Sequence, residues 1–391
     1  MPTSLPNKSQ IEFEQGLVFR WAPIHYQSVG ARTPRADLLA AVDYDGRWNT
    51  HHKWGHIYKY PLIPHVYYSL VETETHWYII YSFYHPRDWH PWLIPFFQHE
   101  NDMEGCLMII EKRAGVRYGY IQGLITASHD GFWLYTFDNR LEGGPRRRGG
   151  QEVRGVDGTL LCTKLEGVYH PALYQDPYGH GLWAWDGGSF RGEYLEYHNG
   201  VTRLLGRLTF VAEANQGVRY YPAKIACEPP YPYRAPIGGM DVPYKLVSIF
   251  EGGGLGERRY RKETYAPNGA FQGNYPPLIG KNKANPPWRW KDKDMLGVTP
   301  PGMMAYDPAR LAYTYFSGFS TDFDFSYLHN PYLKDGRSNS GPNDINQKGS
   351  ITVRNITVGE EGVLDFDYPE AEKAFQGPFN PPIKLWHTSI H

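Results

Sequence analysis

Residues 78–84 read YIIYSFY and residues 106–110 read CLMII, and the segment between them, 85–105, reads HPRDWHPWLIPFFQHENDMEG. Short apolar runs rich in aromatic and β-branched residues, bounded by turn-forming residues, are typical of buried strands. The pattern predicts two neighbouring strands joined by a loop rich in proline and tryptophan. Because side chains alternate along a strand, Asp102 and Glu104 should point to the same face.

The composition of the whole chain favours the same fold class. The 391 residues are 41% hydrophobic and 16% aromatic, with 42 glycines and 32 prolines, and no long stretch has helical periodicity. We predict an all-β protein whose β-sandwich core, with long loops, covers residues 10–260, with a first strand at 11–22. Residues 261–391 should form a loop-rich extension that packs on the core and ends in a β-hairpin, 350–358 paired with 362–367.

Four potential metal ligands lie close together around the two central strands. Asp88 follows the first strand, and His99, Asp102 and Glu104 lead into the second, so the strand ends should aim them at one place. Carboxylates crowded together repel one another and are costly to desolvate, and a bound cation offsets both effects. Residues of these types also cap turns or bind water at strand ends, so the cluster alone leaves both interpretations open.

The same residues resemble the necrosis- and ethylene-inducing peptide-like family and the related Vps62-like proteins. Pro86-Arg87-Asp88 looks like the family's turn before its loop, and residues 99–104 (HENDME) look like its metal-binding HRHDWE segment. Asn101 and Met103 depart from that pattern. The resemblance covers roughly residues 60–250 and implies a β-sandwich with a divalent cation at one end.

Two further segments match the family in the same order. Residues 126–131 (TASHDG) are similar to its Ser-His turn, and Pro171–Tyr174 followed by Gly179–Trp183 is similar to a later segment. The resemblance implies that His180 is the fifth residue of the metal site and that His129 lines the same cavity. Residues 241–251 are similar to a late helix of the family.

Two functions of different classes follow from this site. In the first, the cation and nearby aromatic side chains hold a glycan or glycolipid head group, with a cytolysin-like role, as the resemblance implies. In the second, the protein is a metal-dependent hydrolase or lyase that acts on an ester, phosphoester or glycosidic bond, with Glu100, Asp130 or His129 as general base. Trp89 and Trp92, in the loop between two metal ligands, would also line the cavity.

The ligand types narrow the identity of the cation. Carboxylates with imidazoles suit Ca²⁺, Mg²⁺ or Mn²⁺, and two imidazoles would also suit Zn²⁺ or Fe²⁺. A second group of histidines, His51, His52 and His56, could form another metal cluster or simply be polar surface.

Charge and cysteine content restrict the partners. The formal net charge of −1 indicates no nucleic-acid partner, and the three cysteines have neither zinc-site nor disulfide-framework spacing. No stretch has the length and apolarity of a transmembrane helix or a signal peptide. The aromatic-rich composition and the family resemblance favour a secreted protein, and a cytoplasmic location stays open.

Overall fold

The computed structural model describes residues 8–30, 34–89, 98–129, 131–148, 150–188, 217–229, 239–251, 253–277, 280–293 and 299–333. Trp92, Asp130 and the predicted hairpin at 350–367 lie outside these ranges.

Strands dominate the described chain, and helices are few and short. The helices are α1 (Lys8–Trp21), α2 (Lys53–His56), α3 (Met303–Tyr306) and α4 (Pro308–Tyr315). Single 3₁₀ turns cover Pro34–Asp37, Pro287–Arg289 and Pro331–Leu333. The strands are β1 (Ile24–Ser28), β2 (His65–Thr73), β3 (His76–Asp88), β4 (His99–Arg113), β5 (Val116–Ser128), β6 (Gly131–Tyr135), β7 (Glu142–Gly143), β8 (Arg146–Arg148), β9 (Gln151–Val153), β10 (Cys162–Leu165), β11 (Val168–Gln175), β12 (Leu182–Ala184), β13 (Gly217–Ala223), β14 (Met240–Ser248), β15 (Phe316–Ser317) and β16 (Tyr327–His329).

Twelve of these strands form one mixed sheet. Its order is β10-β11-β1-β13-β14-β2-β3-β4-β5-β6, with β12 added to β11 and β16 to β2. Parallel pairs, such as β1 with β11 and β14 with β2, occur beside antiparallel pairs. The prediction of a strand-rich fold is therefore confirmed, whereas the arrangement as a two-layer sandwich stays a proposal.

The two central strands form where the apolar runs predict them. Strands β3 and β4 pair in antiparallel register, with His85 opposite Asp102 and Asp88 opposite His99. Every residue of β3 is buried, because neighbouring elements cover both faces of the strand. This pairing brings the polar residues at the loop ends of the two strands together.

The sheet is strongly curved, so that distant strands face each other. Strand β1 lies four places from β3 in the sheet, which would separate them by about 19 Å if the sheet were flat. The rings of His25 on β1 and Phe83 on β3 nevertheless stack, with their centroids 4.3 Å apart. Strand β12 likewise contacts β4 and β5. Residues far apart in the chain can therefore share one site.

Two sequence-based predictions of elements are wrong. Residues 11–22 are helical in α1, because Phe13, Leu17 and Trp21 recur at helical spacing and are buried. In the segment 241–251, similar to a family helix, residues 241–248 belong to strand β14. It pairs in parallel with β13 and β2, and Pro243 lacks the N–H that a helix interior needs.

Residues beyond 260 contact the main sheet at several points. The Trp290 indole donates to the Met103 carbonyl at 2.9 Å, and the Tyr332 and Ser69 hydroxyls share a hydrogen bond of 2.8 Å. Strand β16 pairs with β2. The division of the chain at residue 260 stays a prediction. No described helix has the length and apolarity needed to cross a membrane.

Candidate functional site

Asp88 and His99 face each other at the loop ends of β3 and β4. His99 Nε2 lies 3.3 Å from Asp88 Oδ2, and His99 Nδ1 donates to the Asn101 carbonyl at 2.7 Å. With Nδ1 protonated, a neutral His99 presents a lone pair at Nε2 to a carboxylate oxygen that can only accept. The contact therefore needs a positive charge between the two atoms, either a proton or a cation.

In this structure a proton on His99 Nε2 can supply the positive charge between His99 and Asp88. Burial alone would lower the pKa of His99, but the neighbouring Asp88 carboxylate, with a further contribution from Asp102, raises it to about 8. His99 is then an imidazolium at neutral pH in the absence of a cation, and a cation that binds here has to displace its proton.

His180 lies between two carboxylates in the interior. Its Nδ1 is 2.8 Å from Asp102 Oδ2 and its Nε2 is 3.1 Å from Asp37 Oδ1, and the three residues are buried. Burial would lower the pKa of His180, but hydrogen bonds to Asp102 and Asp37 raise it to about 10. Because both ring nitrogens donate to carboxylates, His180 in this arrangement approaches a cation only through Asp102. Its role as a metal ligand stays a prediction.

Asp37 is a component of the site that no motif in the sequence indicated. It ends the 3₁₀ turn Pro34–Asp37, and besides His180 it accepts hydrogen bonds from the backbone N–H groups of Tyr178 at 2.8 Å and Gly30 at 2.6 Å. Its carboxylate therefore joins the backbone at Gly30 and the turn at residues 178–180, which carries the imidazole. Only the long-range fold brings these segments together, so local spacing carried no signal of the contact.

His85 fixes the plane of the His180 ring. The two imidazoles stack with centroids 3.9 Å apart and planes 10° apart. Burial, followed by the positive charge of His180, lowers the pKa of His85 well below its usual range, so a neutral ring stacks on a charged one. Gln175 connects both residues: its Oε1 lies 3.0 Å from His85 Nε2, and its amide donates to the His180 carbonyl at 2.8 Å.

Glu104 and His129 form a third contact on the same side. The backbone N–H of His129 donates to Glu104 Oε1 at 3.1 Å, and His129 adopts a left-handed backbone conformation with φ 49°. The His129 ring lies against Gly181, where a Cβ would come within 2.7 Å of His129 Nε2. The absence of a side chain at Gly181 thus lets the His129 turn meet the chain that carries His180.

Glu100 and Asn101 anchor neighbouring loops. Glu100 is 2% exposed, and its two oxygens accept from the backbone N–H groups of Trp54 at 2.9 Å and Asn274 at 2.6 Å. Asn101 has φ 60°, a conformation that asparagine tolerates better than most residues. Its amide donates to the carbonyls of Thr50 and Gln272, and its carbonyl accepts from the Tyr84 hydroxyl. These bonds explain why an asparagine is well suited to this position.

Trp89 lies against the turn that precedes His180. Its N–H donates to the Tyr178 carbonyl at 3.3 Å, and its ring meets that of Tyr178 edge-on at 6.4 Å. The predicted cavity-lining residue Trp89 is thus placed beside the site.

The predicted metal ligands occur as pairs. Asp88 contacts His99, Asp102 contacts His180, and Glu104 contacts the His129 backbone. Over the ranges that the structure describes, no three His, Cys, Asp or Glu side chains form a group that could hold a metal ion.

Comparisons with known proteins give distant structural matches alone. Neither a family model nor a curated protein matches the chain. Among solved structures, NLPPya in complex with glucosamine is 16% identical, with a TM-score of 0.24 over 47% of this chain and 71% of that chain. NLPPya in complex with mannosamine is 16% identical, with a TM-score of 0.25 over 55% of this chain and 87% of that chain. Necrosis and Ethylene inducing Protein 2 from the causal agent of cocoa's Witches Broom disease is 12% identical, with a TM-score of 0.23 over 46% of this chain and 70% of that chain.

One of these structures is named for the family that the sequence motifs resemble. At such TM-scores the likeness carries no information on what this chain binds.

Proposed function

We propose that this protein binds a glycan or a glycolipid head group through a divalent cation at the loop ends of β3 and β4, in a cytolysin-like role. The Asp88–His99 contact carries the proposal. A metal-binding histidine usually donates its second ring N–H to a backbone carbonyl or carboxylate, and His99 Nδ1 does so to Asn101. His99 Nε2 and Asp88 Oδ2 then face each other as two potential ligand atoms.

The neighbouring residues, Asp102 and Glu104, add carboxylate oxygens, so a cation bound here would have mostly oxygen ligands. Asp102 is close enough to His99 to raise its pKa, and Glu104 lies two positions along the same strand. The donor set suits Ca²⁺, Mg²⁺ or Mn²⁺, with Zn²⁺ or Fe²⁺ as alternatives. When bound, the cation would supply positive charge and open positions for ligand oxygens, and Asp88 and His99 would hold it.

The class of ligand comes from the sequence resemblance rather than from the geometry. Sugar hydroxyls can replace water on a hard cation, and Trp89 offers an aromatic surface beside the site. By the same resemblance we propose that the protein is secreted and that its sheet closes into a two-layer sandwich. The stacking of His25 on Phe83 supports the second proposal, because it places two parts of one sheet face to face.

A metal-dependent hydrolase or lyase is the alternative, and it needs a general base. Both oxygens of Glu100 already accept backbone hydrogen bonds, so this carboxylate is occupied in anchoring neighbouring loops. His129 has its ring against Gly181, and Asp130 lies outside the described residues. Among the residues that the structure describes, no contact therefore favours the enzyme over the binding protein.

Metal analysis combined with glycan binding tests the proposal. We expect the purified protein to bind one divalent cation, and a glycan array signal to disappear after chelation and return when the cation is restored. Glu104→Gln should lower the bound metal below stoichiometry while the protein stays folded, because the amide oxygen can still accept from the His129 N–H. Asp88→Asn should act in the same way.

Glu111→Gln is the matched control, because Glu111 lies on the same strand but pairs with Arg113 and Arg140. Full metal occupancy in both site variants would refute the cation site. Turnover of an ester or glycoside that depends on the cation would favour the alternative function.

A further inference from the structure

We infer that His52 and His56 form a second metal site, separate from the one proposed above, for a borderline transition metal such as Zn²⁺, Ni²⁺ or Cu²⁺. This inference does not rest on the proposed glycan-binding function, because it uses other residues on another element.

The local backbone puts the two imidazoles on one side of a helical turn. The His56 N–H donates to the His52 carbonyl at 3.3 Å, which closes one turn between the two residues. Their ring centroids lie 6.3 Å apart, with the planes tilted by 40°. A single ion between two imidazoles can bridge rings at this separation.

Asp45 orients the His56 ring for metal binding. Asp45 Oδ2 lies 2.6 Å from His56 Nδ1, and its Oδ1 accepts from Lys53 Nζ at 2.5 Å. Held beside a lysine, the Asp45 carboxylate stays ionised and can only accept hydrogen bonds. In its neutral form His56 therefore carries its proton on Nδ1 and has a lone pair on Nε2, which is the carboxylate–histidine arrangement found behind metal-bound imidazoles.

The backbone of His52 takes part in the turn through its carbonyl. The residue is exposed, it has φ 68° although it is not a glycine, and it makes no side-chain cap to the helix it precedes. Among the described residues, no hydrogen bond to its imidazole is found. Non-glycine residues in this conformation concentrate at functional sites, and both nitrogens of His52 remain available for a ligand.

The neighbouring His51 is committed elsewhere. Its Nε2 hydrogen-bonds the side chain of Gln272, so the cluster of three histidines considered from the sequence reduces to two. The other coordination positions would be taken by water. Imidazole donors favour Zn²⁺, Ni²⁺ and Cu²⁺ over Ca²⁺ or Mg²⁺, so the two sites of this protein should differ in the metals that they bind.

The test is a metal titration of the full chain with any purification tag removed. Zn²⁺ and Ni²⁺ binding is measured by calorimetry, and Cu²⁺ binding by electron paramagnetic resonance, in which bound imidazole nitrogens give resolved hyperfine structure. Relative to the unmodified chain, His52→Ala and His56→Gln should each remove one equivalent or weaken it by about tenfold or more. Gln at position 56 can still donate to Asp45 but offers no ring nitrogen.

Two variants serve as controls. His51→Ala should bind as the unmodified chain does, since His51 is bonded to Gln272. So should His65→Ala, whose Nδ1 lies 2.9 Å from the Ile63 carbonyl. Circular dichroism confirms that each variant is folded. Unchanged stoichiometry and affinity in both His52→Ala and His56→Gln would overturn the inference, as would an equal loss in His65→Ala.

Discussion

At the scale of single residues, the charge on His180 organises the interior of the candidate site. Two carboxylates hold the imidazole from opposite ring nitrogens, and a neutral imidazole stacks on its face. Each group constrains the others, because a buried charge is tolerated only when it is paired and hydrogen-bonded. Asp102 belongs both to this network and to the surroundings of His99, so a change deep in the interior reaches the proposed cation site.

Removal of the Asp37 charge should weaken both the network and the fold. Asp37→Asn leaves the imidazolium with one carboxylate, and breaking a buried pair typically costs about 3 kcal/mol of unfolding free energy. We expect this loss in chemical denaturation, and a lower pKa for His180 in a histidine NMR titration. Asp43→Asn, a half-buried neighbour on the next loop, should change stability by less than about 0.5 kcal/mol. An unchanged His180 pKa in Asp37→Asn would contradict the described contact.

A second residue-scale prediction concerns metal affinity. His180→Ala should reduce the affinity for the divalent cation by about tenfold or more, since Asp102 loses the partner that orients it. His170→Ala is the control on the same segment. His170 Nδ1 bonds the Ala22 carbonyl at 2.7 Å, so this variant should lose stability without losing metal. Equal metal affinities in the two variants would show that His180 is not part of the site.

At the scale of elements, the close approach of two turns determines whether the site can assemble. Gly181→Ala places a Cβ against the tip of the His129 ring and 3.1 Å from the Ser128 hydroxyl, so these side chains must shift to accommodate it. We expect a destabilisation of about 1–3 kcal/mol, as for other overpacked positions, together with weaker cation binding. Gly158→Ala, whose Cβ would meet its nearest neighbour at 3.4 Å, should be nearly neutral. Comparable unfolding curves for the two variants would argue against the contact.

The elements also show which parts of the fold could be predicted from the sequence. Strands β3 and β4 and the Asp88–His99 pair were predictable because apolar runs and adjacent strand ends are local signals. Helix α1 was missed because its apolar residues, spaced by two at Ile11 and Phe13, also fit a strand. Asp37 could not be predicted, since its partner His180 lies 143 positions away. The left-handed backbone at Asn101 is set by loops at Thr50 and Gln272 that no local pattern connects to it.

At the scale of the whole molecule, two groups of buried histidines, with pKa values shifted in opposite directions, set how stability depends on pH. Burial lowers the pKa of His25 to about 3 and of His76 and His170 to about 4. Neighbouring carboxylates raise that of His99 to about 8 and of His180 to about 10 against the effect of burial. The first group keeps its full contribution to stability above the unfolded pKa of about 6.5 and loses it as the pH falls towards 4. The second keeps its contribution below about 6.5 and loses it as the pH rises through 8 and 10.

The free energy of unfolding without added metal should therefore be highest near pH 6.5. Each histidine of the first group should cost about 1–2 kcal/mol at pH 5, as measured by urea unfolding across the pH range. His170→Gln should reduce the slope on the acid side, because the amide keeps the bond to Ala22 but does not titrate. A stability that is flat between pH 5 and 9 would contradict these assignments.

The curvature of the sheet has a consequence for the order in which parts of the protein fold. Contacts such as Asp37 with His180 close very long stretches of chain, and high contact order is associated with slow folding. We expect the central hairpin to form early and the cation-binding centre to be completed only when the outer strands close over it. In a stopped-flow refolding experiment, tight metal uptake should lag behind the recovery of sheet signal. Metal uptake would then indicate that the fold is complete. A fragment that contains only the hairpin of β3 and β4 should not retain the site.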